Sequence, residues 1–163
     1  MSQFRVEKLR AGAEVTLATG ATVRGTFFLA GSSALHDGPE RVADLLNAED
    51  GFFPFETIGV DAASDTLLIN RSHVVCVLLH GRRNEPQMDP GYGVATERHV
   101  SMLLSNGATL SGAVRVYRPQ GRDRLSDYAR CGDLFRYLEA SDGIYVVNTA
   151  HVVQLSETVE AVQ

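Results

Sequence analysis

The chain carries one pattern written twice. Val15-Thr-Leu-Ala-Thr-Gly20-Ala-Thr-Val-Arg-Gly25 recurs as Met102-Leu-Leu-Ser-Asn-Gly107-Ala-Thr-Leu-Ser-Gly112, and Asn70-Arg-Ser-His73-Val-Val recurs as Asn148-Thr-Ala-His151-Val-Val. Between these anchors Arg41-Val-Ala-Asp44-Leu is echoed by Arg124-Leu-Ser-Asp127-Tyr, and Phe52-Phe-Pro-Phe55 by Leu134-Phe-Arg-Tyr137. A duplicated unit is expected to fold twice in the same way, so the repeat predicts two similar small units, residues 1–79 and 99–163. A unit of that size is marginally stable alone, and the copies are expected to lean on one another. Residues 80–98 hold two prolines and three glycines without periodicity and read as the linker between them.

Each copy opens with alternating apolar residues around Thr19-Gly20 or Asn106-Gly107, a hairpin signal that points to a type I′ turn. Gly25 and Gly112 then stand where the second strand continues, which marks a bend or the close approach of another backbone. Val42, Leu45 and Leu46, like Leu125, Tyr128 and Ala129, are spaced i, i+3, i+4 and predict a short helix in each copy. Arg41 and Asp44, and likewise Arg124 and Asp127, become neighbours on that helix. Further strands are expected at 52–60, 66–70 and 73–79, and again at 134–140, 144–148 and 151–155. His73 to Leu79 is apolar on both faces, so it must be covered on both. A pseudo-dimer of the two units within the chain supplies that cover.

Five short strands with Val-x-Leu-x-x-Gly-x-x-x-x-Gly at the front and Asn-x-x-His-Val-Val at the last turn resemble the Sm-like family. The resemblance implies a mostly β fold of two tandem five-stranded Sm-like barrels, each with a short helix between its second and third strands. Two departures stand out: Ser72 and Ala150 occupy the place of the lysine that bacterial RNA chaperones of that family put before the histidine, and the loop that carries their RNA contacts is replaced by the Arg-x-x-Asp stretch. Sm-like barrels bind RNA and are also reused as docking modules. One such setting is the cytoplasmic face of a bacterial photosynthetic reaction-centre and light-harvesting complex.

Candidate sites divide into shared and unshared residues. Asp44, Asn70 and His73 recur as Asp127, Asn148 and His151, and what both copies keep is expected to serve the fold: Asn setting a turn, His fastening it, Asp pairing with Arg. No nucleophile–base pair, phosphate loop or metal spacing occurs, so neither catalysis, a metal nor a cofactor is expected. The unshared feature is Arg115, Arg118, Arg122, Arg124, Arg130 and Arg136, interleaved with Tyr117, Tyr128 and Tyr137 and offset by three aspartates. Arginine with tyrosine is the composition of protein-interface anchors and of single-stranded RNA stacking sites; a solvated face with local ion pairs is the third reading. The net charge of −5 argues against a general nucleic-acid binder. The opening residues carry no apolar run, and Cys76 and Cys131 show no metal spacing and read as buried thiols of a reducing cytoplasm. The expected function is therefore a non-catalytic structural or adaptor subunit on a larger protein assembly, with RNA binding as the alternative.

Overall fold

The computed structural model describes residues 9–33, 38–58, 64–81, 84–119, 121–130 and 132–158; Cys131 and the end of the expected strand at 59–60 lie outside them. The chain is mostly β. Its strands are β1 Leu9–Leu17, β2 Thr22–Leu29, β3 Phe52–Ile58, β4 Ser64–Asn70 and β5 Val74–Leu79, then β6 Thr96–Leu104, β7 Thr109–Val116, β8 Phe135–Ala140, β9 Gly143–Asn148 and β10 Val152–Glu157. Two short helices, α1 Val42–Ala48 and α2 Leu125–Arg130, lie between β2 and β3 and between β7 and β8.

The strands do not form two five-stranded Sm-like barrels. All ten belong to one open antiparallel sheet in the order β10-β6-β7-β8-β9-β5-β1-β2-β3-β4. The reason is at its centre, where β5 of the first copy pairs with β9 of the second through Cys76 opposite Val147, Val77 opposite Val146 and Leu78 opposite Tyr145. The expected pseudo-dimer of barrels is thus replaced by a seam of backbone hydrogen bonds, and the Sm-like resemblance does not carry over to this fold. Within the sheet, however, the duplication is plain: each copy runs fifth, first, second, third, fourth strand.

The local chemistry repeats as well. Leu17 N–H donates to Ala21 O and Gly20 N–H to Leu17 O, and Leu104 with Ala108 and Gly107 with Leu104 make the same bonds. This is a three-residue hairpin loop closed by a glycine at positive φ (Gly20 at 92°, Gly107 at 86°), rather than the expected two-residue type I′ turn. Gly25 and Gly112 sit where the neighbouring strand comes so close that a Cβ would collide with the carbonyl oxygens of Glu56 and Glu139. Asn70 and Asn148 each accept a backbone N–H two residues on, from Ser72 and Ala150, both at 3.0 Å. One pairing differs from the sequence alignment by a residue: Phe52 lies opposite Asn70 but Phe135, not Leu134, lies opposite Asn148.

Two apolar clusters fill the fold, and both cross the seam. The first gathers Val15, Phe27, Phe53, Phe55 and Val77 and also takes Phe135, Ile144 and Val146 from the second copy. The second gathers Val100, Met102, Val114 and Leu138 and takes Val75 and Cys76 from the first. Phe27 stacks on Phe53 and meets Phe55 edge-on, with ring centroids 5.4 and 5.1 Å away.

The fully buried Asn148 amide fastens the seam by donating to Val74 O at 2.8 Å and, at 3.5 Å, to Arg71 O. Asn148→Ala removes the side-chain donor to Val74 O, while Arg71 O keeps the Val74 N–H, and is expected to cost about 1–3 kcal/mol, the penalty for an unsatisfied buried group. Asn70→Ala, which removes the same turn bond without a seam, is expected to cost less. Urea unfolding of both variants measures the difference.

Candidate functional site

A cavity of about 350 Å³ opens where the copies meet, between α1, the segment before β6, and β7, α2 and β8. Arg41 dominates its buried wall. Its guanidinium grips Asp44 in two places, Nη2 to Oδ1 at 2.9 Å and Nε to Oδ2 at 3.1 Å, and meets Asp89 at 2.7 Å through Nη1. Nη1 also donates to Glu85 O at 3.2 Å, and the group lies 5.4 Å from the Tyr137 ring centroid. Burial alone would lower the Arg41 pKa, but Asp44, Tyr137 and Asp89 outweigh it and raise it, so the cation is permanent.

Glu85 is wholly buried and joins three elements. Its Oε1 accepts the Val42 N–H at the start of α1 (3.1 Å) and the Tyr137 hydroxyl of β8 (2.8 Å). A carboxylate there also faces the positive end of a helix. On the opposite wall Arg115 meets Glu97 at 3.2 Å and Glu139 at 3.3 Å, lies 4.3 Å from the Tyr92 ring centroid, and donates to the Tyr92 hydroxyl. Tyr92 in turn donates to Glu139 at 2.6 Å, and Tyr117 to Asp89 at 3.0 Å. Arg136 lies against the Tyr128 ring and donates to the carbonyls of Tyr128 and Asp133; among the described residues the buried Tyr128 hydroxyl has no hydrogen-bond partner.

The expected arginine–tyrosine set therefore divides. Arg115, Arg124 and Arg136 are neutralised or hydrogen-bonded internally, Arg124 by Asp127 at 3.5 Å. Arg118, Arg122 and Arg130 are exposed, and their side chains make no ion pair or hydrogen bond among the described residues. Of the paired positions, Asp44 and Asp127 reach back to the N–H of Arg41 and Arg124, at 2.9 and 3.1 Å. His151 is held at both ring nitrogens, by Ser105 Oγ at 2.7 Å and by Ser72 O at 2.8 Å, whereas His73 is exposed. Asp44 and Asp127 both line the cavity; the histidines and asparagines lie away from it, along the seam and the outer edge.

Sequence reasoning missed Glu85, Asp89 and Tyr92, because an aperiodic glycine- and proline-bearing stretch reads as passive. The available signal was its two acid–proline pairs, Glu85-Pro86 and Asp89-Pro90, in a segment otherwise poor in charge of that sign. Among the described residues no group of three His, Cys, Asp or Glu side chains could hold a metal, and no helix is long and apolar enough to cross a membrane. Neither protein-family models, nor curated proteins, nor solved structures match the chain.

The tyrosines give this site a pH signature. Burial first, then Glu85, pushes the Tyr137 hydroxyl far up; burial, then Asp89, does the same for Tyr117, and burial raises Tyr128. A hydroxyl whose folded pKa exceeds its unfolded value near 10 leaves stability intact below that pH and removes it above. Ultraviolet titration is expected to show tyrosinate absorbance from Tyr137 and Tyr128 only as the protein unfolds. Their ionisation near pH 10 with an intact circular dichroism spectrum would contradict the geometry.

Proposed function

We propose that this protein is a non-catalytic structural or adaptor subunit that docks on a larger protein assembly. One observation carries the reading. Arg118, which lines the cavity, and Arg122 and Arg130 of the same stretch are exposed and their side chains make no ion pair or hydrogen bond among the described residues, while Tyr117 beside Arg118 is half-exposed. Exposed arginines and a tyrosine are the side chains that interfaces use as anchors. Three carboxylates of the cavity, Asp44, Asp89 and Glu139, are held by cations or hydroxyls at short range. A cytoplasmic setting agrees with the buried free thiol of Cys76.

RNA is the second reading, since three unpaired arginines near a tyrosine also suit a phosphate backbone with a stacked base. The two part on salt dependence. Reversing the anchors as Arg118→Glu with Arg122→Glu is expected to change stability by no more than about 0.5 kcal/mol, as for exposed sites in general. The same double variant is expected to lose the stoichiometric protein partner that the wild-type protein retains when isolated from its own cells. Co-purification of RNA, lost steeply with added salt, would replace the adaptor reading.

A further inference from the structure

The seam inside the chain supplies a template for a contact outside it. An open sheet has two edges, here β4 and β10. By the repeat, β4 is the counterpart of β9 and β10 the counterpart of β5, and β9 and β5 are the two strands that pair at the seam. Each edge therefore carries the half of a contact whose other half is on the opposite edge. We propose that β4 of one chain pairs antiparallel with β10 of a second copy, reproducing the β9–β5 seam between molecules.

Side-chain exposure follows this correspondence. At the seam Phe135, Val146 and Val75 reach into the other copy's cluster and are 2%, 0% and 0% exposed. Their counterparts at the edges, Phe52, Leu68 and Val153, are 60%, 68% and 66% exposed. Large apolar groups left open at the positions that the seam buries are surface awaiting cover. The polar groups match too. Asn148 donates across the seam to Val74 O and His151 Nε2 to Ser72 O, both at 2.8 Å. Asn70 and His73, their counterparts beside β4, make no such donation among the described residues.

Carrying the seam's register over places Leu68 opposite Leu155 and Ile69 opposite Gln154 of the neighbouring copy. Gln154, Ser156 and Glu157 stand where β5 has Cys76, Leu78 and Leu79, so the contact is more polar than the seam and is expected to depend on concentration. It is also heterologous: two different edges meet, and repetition gives a ring or an open chain of copies. This inference does not rest on the adaptor reading, because it concerns the purified chain alone.

Native mass spectrometry and light scattering of the purified full chain test it, with Leu68→Arg and Val153→Arg as variants. Both positions are exposed, so the folded chain is expected to keep its circular dichroism spectrum and melting temperature in each. The wild-type protein is expected to populate multiples of the chain mass that grow with concentration. Each variant alone has one disabled edge and is expected to be monomeric. Mixed, the variants have one intact edge apiece and are expected to form a 1:1 dimer that grows no further. A wild-type chain monomeric at every concentration overturns the proposal, as does a variant that still self-associates or a mixture that stays monomeric.

Discussion

Everything in this fold depends on the pairing of β5 with β9. A strand that is apolar on both faces needs a layer on each side and partners for both rows of backbone groups. β1 satisfies one edge of β5, and β9 satisfies the other from more than sixty residues further along. Because side chains follow the backbone, that one decision also sends Phe135, Ile144 and Val146 into the first cluster and Val75 and Cys76 into the second. The two halves share their interiors as well as a border.

The polar network around Glu85 and Arg41 closes the same junction from the side. A buried ion pair contributes little net stability when compared with apolar packing, yet losing one partner strands the other at considerable cost. Here the charges are arranged so that α1, the segment before β6, and β8 each supply a member: Arg41 and Asp44, Glu85 and Asp89, Tyr137. Asn47 adds a clasp, its amide pairing with both the carbonyl and the N–H of Phe135 at 2.8 Å. The corresponding Arg124–Asp127 pair has no such cover and stays at the surface. The copies thus kept one motif and gave it two environments.

What the sequence made legible was local. The hairpins, the helix α1 and the Asn turns all announce themselves through glycine placement, apolar spacing and side chains that bond their own backbone. What it concealed was how the copies join. Alternation along His73–Leu79 says that the strand is covered, but not whether a facing layer or a neighbouring strand covers it, and the choice of a neighbouring strand turns two closed units into one open sheet. The junction site was half visible: Arg41, Asp44 and the arginine–tyrosine stretch stood out, while Glu85 and Asp89 did not, because their role comes from what they touch across the chain. The misaligned Phe52 shows the same limit, since aromatic similarity suggested one register and strand pairing imposed another.

The seam also has a consequence in time. Synthesis proceeds from the N-terminus at about 5–20 residues per second, so β5 waits roughly 3–14 s before β9 follows it. During that interval the newborn first half presents a bare strand edge and an incomplete interior. A translating ribosome thus displays the very surface that a neighbouring nascent chain could seize, exchanging one molecule's second half for another's.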